Sequence, residues 1–338
     1  MATIYGGSFD STTLTNFFNL TLPKIDKDVK DAIFKENTYL SYMDAAGAID
    51  RGQTGDGIYV QWEMAENSSV AARAFSSPIP LNDPDINRAG FQQYGEYTGA
   101  IPVDYITLKK NSGKEKLIAY LESRKKNMIN TLKKTINNDL MNGSGAYPTA
   151  IGLTQLIATS PTAGSIHGVA RSGNTWAQNQ QADASCSTTD GFGVICLKDI
   201  ESLLKDASTG MGQRDFNLAV MDKTVHSNMA YYLPDLANSQ RVVIQSGKSI
   251  PADNLKYAAE NTFYLGEALA IWDNLAPSDS IRWINTDLVR VCVLKDADMV
   301  TAMRNSHNSF SDAILCGMAL TQVNLNPRYS AVLNAFTS

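Results

Sequence analysis

Cysteine is scarce: the 338-residue chain has four, Cys186, Cys196, Cys292 and Cys316. None forms a CxxC pair, and the three histidines, His167, His226 and His307, stand far from them in sequence. That spacing argues against a zinc site and a disulfide framework, and leaves buried or partly buried free thiols as the expected state. Charge is sparse as well, at 19% of residues against roughly 25% in an average soluble domain. Two explanations stay open: a surface largely given over to interfaces, or a large monomeric core. The net charge of -5 argues against tight, sequence-independent nucleic-acid binding through a basic face, which depends on lysine and arginine neutralising phosphates. It does not exclude a chain that merely encloses nucleic acid. No stretch approaches membrane-spanning length without charge, and the opening MATIYGGSFDSTTLTNFF has no basic segment leading into an apolar one. The expectation is a cytosolic chain with no membrane partner, in which Asn19-Leu20-Thr21 and Asn67-Ser68-Ser69 match the glycosylation pattern by chance.

The motifs of nucleotide and hydrolytic chemistry are missing too. GSGAYPTAIG and GQTGDG lack the lysine, the spacing or the following helix of a phosphate-cradling loop, and neither HExxH nor GxSxG occurs. Asp83, Asp85 and Asn87 open like a calcium loop, but Arg88 takes the place of the turn glycine and Tyr94 that of the closing glutamate. Asp222, His226 and Ser227 could be assembled on paper into a base, an orienter and a nucleophile. Positions so close on one helix point in different directions, so a helix surface with a hydrogen-bonded histidine is the expectation. No catalytic, cofactor-binding or metal-binding residue is assigned, and no enzyme is expected.

What is present is one long helical signal, Ser112 to Asn142. Ser112 and Glu115 form a capping box, and Leu117, Leu121, Met128, Leu132, Ile136 and Leu140 recur on one stripe. Arg124, Lys125, Lys126, Lys133 and Lys134 occupy other faces, interrupted by Glu115, Glu122 and Asp139; a solvated face is favoured over a weak contact with an enclosed polyanion. Gly143 supplies the expected left-handed stop after a strut of about 45 Å. Before the helix comes a polar arm whose segment after Pro23 carries Ile25, Val29, Ile33 and Phe34 on one helical face, expected to pack on another surface such as a neighbouring subunit. RGQTGDG then reads as turn chemistry, and Ile58, Val60, Trp62 and Met64 alternate against Tyr59, Gln61 and Glu63 as a strand. FQQYGEYTGAIPVDYITL returns as a second strand, so an extended hairpin with a long tip is expected.

Beyond the helix, short strands and turns lead to LKDIESLLKDASTG, a helix stopped at Gly210, to the buried strand NLAVMDK, and to a helix over HSNMAYYL that ends before Pro234. Four β segments close the chain. Strands and helices alternate in no βαβ rhythm, which indicates an α+β class with two packed lobes and appendages.

That order of parts resembles the major capsid proteins of tailed bacteriophages with the HK97-like fold. Two stretches add to it. Gly168, Val169, Arg171, Trp176 and Asn179 match a turn-and-tryptophan signature of one branch, with Ala177 where a second tryptophan is common and His167 where a glycine often sits. Asn326, Pro327 and Arg328 match the same branch's terminal strand. The resemblance implies an N-terminal arm over 1–45, an E-loop hairpin over 46–106, and a peripheral domain over 107–215 with its spine helix at 112–142. An axial domain over 216–285 and returning strands over 286–338 complete it. It further implies self-assembly into hexamers and pentamers of an icosahedral head, built in the host cytoplasm. The expected partners are a scaffolding protein, a portal, and double-stranded DNA enclosed without sequence-specific contact. An encapsulin-like cytosolic compartment of the same fold is the alternative, and an α+β hydrolase the more distant one. Trp62 and Phe75 on the hairpin, with Phe17 and Phe18 on the arm, are the candidate subunit-interface anchors, because segments with no core of their own gain from burying large apolar groups elsewhere.

Overall fold

The computed structural model of the chain describes residues 33, 37–63, 72, 87–104, 114–183, 202–203, 216–229, 263–265, 268–295, 297, 300–305 and 311–334. Phe17, Phe18, Phe75, Ser112, Asp83, Asp85, Gly210 and Pro234 lie outside the described residues, as do Cys186, Cys196 and His307.

Helix α1 (Thr38–Ala45) starts at Asn37, which accepts the Leu40 amide on its side-chain oxygen. Reading the arm as one continuous pattern passes over this cap. Tyr39, Leu40 and Met43 are fully buried in the chain's own core, and the Tyr39 hydroxyl donates to Gln322 Oε1 at 2.7 Å. Ile33, the one described residue of the arm's expected apolar face, is also fully buried in that core, so residue 33 and the 38–45 part pack on their own chain, which corrects the expectation of a neighbour's surface there; Ile25, Val29 and Phe34 lie outside the described residues.

Of the expected turn RGQTGDG, residues 54–56 make the turn, with Gly55 left-handed at φ +101°, while residues 51–53 belong to a strand, β1 (Ile49–Gln53), running parallel to a later strand. After it come β2 (Gly57–Glu63), β3 (Asn87–Gln93) and β4 (Gly95–Asp104). The hairpin is shorter than its sequence suggests. β2 pairs with β3 alone, while β4, continuous with β3 in the sequence pattern, leaves the ribbon and joins the body.

Helix α2 (Lys114–Asn142) follows and turns Met128, Leu132, Ile136, Leu140 and Met141 into the core. Its 29 residues span about 44 Å. Gly143 does end it, though not in the expected way: the left-handed residue is Gly145, at φ +73°. Gly143 is instead a close approach. A Cβ there would stand 2.2 Å from the Ala150 carbonyl oxygen and 2.5 Å from that of Asp139. The chain then makes a single helical turn, α3 (Leu153–Leu156), and the small pair β5 (Ser165–Ile166) and β6 (Val169–Ala170).

The remaining strands are β7 (Gln180–Asp183), β8 (Leu218–Met221), β9 (Phe263–Leu265), β10 (Ala268–Trp272), β11 (Ile281–Ile284), β12 (Val289–Leu294), β13 (Val300–Asn305), β14 (Ser311–Asn324) and β15 (Ala331–Asn334). They form two mixed sheets. In the first, β14 is the axis: β4 lines it from Ser311 to Leu320, and β13 followed by β12 line its other edge, with β1 beyond β12. The second sheet has the order β7-β15-β11-β8-β10-β9.

The second sheet is buried on both faces, which explains the uninterrupted apolar runs LAVM and ALAIW. Leu218, Val220, Leu269, Ile271, Ile284 and Val332 face the main core, with helix α2 and the first sheet. Ala219, Met221, Ala270, Trp283 and Leu333 face a separate core with Val225 and Met229 of helix 223–229. The expected buried strand, the helix after it and the α+β class are all present. Two polar joints tie α2 to this sheet: the Asn137 side-chain amide donates to both Asp273 carboxylate oxygens, at 3.0 and 2.9 Å, and Asn142 Nδ2 donates to the Leu275 carbonyl at 2.7 Å. Burial raises the Asp273 pKa, while the Asn137 and Leu275 hydrogen bonds favour its ionised form. Among the described residues no helix is long and apolar enough to cross a membrane.

The tight turn at Gly143 gives a direct check. Gly143→Ala must displace backbone on two sides and is expected to cost about 2–3 kcal/mol in a denaturant titration of the whole chain. Gly52→Ala, whose Cβ would meet nothing nearer than Asp50 Oδ1 at 3.4 Å, is the control and stays within about 1 kcal/mol of the wild type.

Candidate functional site

The two-stranded β2–β3 ribbon packs against the body along one face. Ile58, Val60 and Trp62 of β2 turn inward, as their alternation predicts, and Trp62 lies at the centre of the contact. Its indole N–H donates to the Asn324 carbonyl at 3.1 Å, and its ring meets those of His167 and Trp176 at centroid distances of 5.5 and 5.6 Å. Diagonal to it on β3 is Gly90, the register partner of Val60. A Cβ at Gly90 would come within 2.9 Å of His167 and 3.1 Å of the Trp62 ring, so only glycine lets the ribbon lie this close.

His167 is the junction. Its Nε2 accepts the Asn324 backbone N–H at 3.1 Å, which leaves the ring proton on Nδ1, 3.2 Å from Gln92 Oε1. Gln92 is thereby oriented with its amide nitrogen towards the Gly145 carbonyl, at 3.0 Å. The His167 carbonyl accepts the Phe91 amide at 2.8 Å. One residue thus joins β3, β14 and, through Gln92, the turn after α2. Its φ of +48° is left-handed, and Gly168 follows at +77°. The position where a glycine often sits in the resembling branch is therefore one where a side chain costs about 1–2 kcal/mol of backbone strain. Here that cost is set against two buried hydrogen bonds. Burial, with the Arg171 charge adding to it, pushes the His167 pKa down to about 3, so the ring is neutral at physiological pH.

The remaining signature residues have structural roles of the same kind. Arg171 is buried; its Nη2 donates to the carbonyls of Gln155 and, at 3.1 Å, Leu156, while Nη1 donates to Asn179 Oδ1 at 3.3 Å. Asn179 in turn exchanges hydrogen bonds with Ala158, at 3.0 and 2.9 Å. Arg282 Nε donates to the Ile157 carbonyl at 3.2 Å. Four consecutive carbonyls from the last turn of α3 onward, Gln155 to Ala158, are thus taken by two guanidiniums and an amide, and the guanidinium charges are favourable at a helix C-terminus. Burial lowers both arginines to about 10, which keeps them cationic at neutral pH. Pro327 is buried in a short 3-10 turn and Asn326 is held by the Asn324 side chain at 3.1 Å, while Arg328 is exposed.

Of the four expected interface anchors, only Trp62 is described, and the structure corrects its role: it is 3% exposed and packed inside its own chain. The alternation of its strand holds, and Trp62 is on the inward side of it. The outward residue is Tyr59, 74% exposed, its ring 4.9 Å from that of Phe91 on β3. Period-two alternation holds the signal for this; which face is dry depends on β14, far away in sequence. Asp222, Thr224 and His226 form a helix start, with Asp222 Oδ2 accepting the Thr224 amide at 3.0 Å, and Ser227 is exposed on another side from the buried His226. Asn87 opens β3. Cys292 and Cys316 are buried and in no disulfide, and burial pushes the Cys292 thiol up to about 12. Among the described residues no three His, Cys, Asp or Glu side chains could hold a metal ion.

The fold is that of viral capsid chains. No protein-family model and no curated protein matches the sequence. Among solved structures, the capsid chain of cyanophage A-1(L) matches with a TM-score of 0.65 at 13% identity, over 90% of this chain and 94% of that one. The capsid of Myoviridae phage XM1 matches at 0.55 and 9% identity, over 88% and 92%. A virus-like particle from Pyrococcus furiosus matches at 0.52 and 11%, over 92% and 98%. The expected HK97-like capsid fold is therefore present across most of the chain.

The neutral His167 predicts a pH dependence. A basic group whose folded pKa lies below its unfolded value stabilises fully above about pH 6.5 and less as pH falls from there towards 3. Chain stability should fall by up to about 1.4 kcal/mol per pH unit from His167 alone in that window. His167→Gln, which does not titrate, is expected to be less stable at pH 7 but to show a shallower slope between about pH 6 and 4. An equal slope in both proteins would assign the acid sensitivity elsewhere.

Proposed function

We propose that this chain is the major capsid protein of a tailed bacteriophage, a shell subunit that assembles into hexamers and pentamers of an icosahedral head around the double-stranded DNA genome. The observation that carries the reading is a capsid fold over nine-tenths of the chain, built around a ribbon whose outer aromatic face is exposed. In this reading the 57–93 ribbon is the stem of the E-loop, α2 is the spine helix, and the first sheet with α2 is the peripheral domain. The second sheet carries the axial domain, with residues 216–285 at its centre. The arm ahead of α1, with Phe17 and Phe18, and the hairpin tip with Phe75 reach neighbouring subunits. Many weak contacts held at once stabilise a shell through effective concentration rather than through any one affinity. A scaffolding protein and a portal are the assembly partners, the virion is the final location, and assembly takes place in the host cytoplasm. The chain has a structural, not an enzymatic, role.

Electron microscopy of the chain expressed alone and with a candidate scaffold tests the reading. Closed shells, tubes or capsomer rings are expected, and uniform monomers in both samples would contradict it. Tyr59→Asp puts a charge on the exposed face without touching the core, so the variant should fold with wild-type stability, within about 0.5 kcal/mol, yet fail to assemble. Normal shells from Tyr59→Asp would remove that face from the subunit contact.

A further inference from the structure

Between Ser123 and Asn138, helix α2 carries Arg124, Lys125, Lys126, Lys133 and Lys134 and no acidic residue. The chain as a whole has 29 basic and 34 acidic residues, so the rest holds 24 basic against 34 acidic. Positive charge is thus concentrated on about 24 Å of one helix. The nearest acid that follows does not dilute it: Asp139 turns away, where it accepts the Tyr97 hydroxyl at 3.0 Å and is part-buried. Lys126, Asn130 and Lys134 are exposed and lie on the side opposite the Leu132–Ile136 stripe.

From this placement we infer that the solvent face of α2 over residues 123–138 is a contact surface for the phosphodiester backbone of nucleic acid. Charge complementarity selects the occupant. Lysine, arginine and asparagine side chains are the groups that meet phosphate oxygens without reading sequence. A protein partner would need an apolar centre, and lysine is depleted from such interfaces. None of the large exposed apolar side chains found among the described residues, Tyr59, Tyr147 and Trp272, is on this helix. A face of few cations on an acidic chain binds weakly and reversibly, which suits DNA that must be packed and later released. The inference deepens the shell reading and rests on it, because an enclosed genome is the polyanion at hand.

Fluorescence anisotropy of the full chain with a mixed-sequence duplex of about 30 base pairs, from about 20 to 200 mM salt, provides the test. Lys126→Gln combined with Lys134→Gln is expected to weaken binding at least tenfold at the lowest salt. It should also reduce the slope of log affinity against log salt by about 2. Lys223→Gln with Lys295→Gln, exposed lysines on other elements, is expected to leave both unchanged. No binding by the wild type at the lowest salt, or an equal slope in the α2 variant, overturns the inference. So does displacement of DNA by polyglutamate at lower charge concentration, which would indicate an acidic polypeptide as occupant. Microscopy of the same samples separates the two claims. Shells with an unchanged salt slope overturn only the DNA contact, and a changed slope without shells overturns only the shell reading.

Discussion

The hydrogen bond from the Asn324 amide to His167 Nε2 fixes a chain of contacts that joins the ribbon to the body. It sets the imidazole tautomer, which sets the orientation of Gln92, which ties β3 to the turn after α2. Asn324 ends β14, the strand on which the first sheet is built, and its carbonyl receives the Trp62 indole. The ribbon is thus attached to the body through a small set of buried polar contacts, all satisfied and surrounded by aromatic rings. Unpaired, each of these groups would cost about 1–3 kcal/mol, so the set holds together as a unit.

This arrangement separates rigidity from exposure. The body is two sheets and a helix sharing one core, and the second sheet is covered on both faces. The ribbon has a dry face and a wet face, with the dry one used on its own chain. What is left outward, Tyr59 against Phe91, is held in place without being covered. On the proposed shell reading, a subunit that presents this face to a neighbour gains from such an attachment, since pre-ordering lowers the entropy lost on contact.

The sequence revealed the long helix, the strand alternation at 58–62 and the α+β class, because each rests on a local period. It also marked the turn-and-tryptophan residues, of which Val169, Arg171, Trp176 and Asn179 are buried and Gly168 takes a left-handed φ. The split between β3 and β4 was hidden: both read as strand, and only the ten-residue ladder of β4 with β14 separates them. β1 was hidden for the same reason, since RGQTGDG has turn residues but pairs with β12 some 240 positions away. Gly143 was placed correctly and explained wrongly, since a close approach to Ala150 cannot be inferred from a helix end alone. The side of the ribbon that faces outward is likewise a tertiary fact, and so the interface reading moved from Trp62 to Tyr59.

The central claim is that the ribbon is held to the body by the Trp62–His167–Asn324 contact. Hydrogen exchange of the amides of β2 and β3 in wild type and in Trp62→Ala measures this most directly. The account predicts that the variant loses protection by at least tenfold across the ribbon while the β4–β14 ladder keeps its own. Ribbon amides as protected in the variant as in the wild type would contradict it.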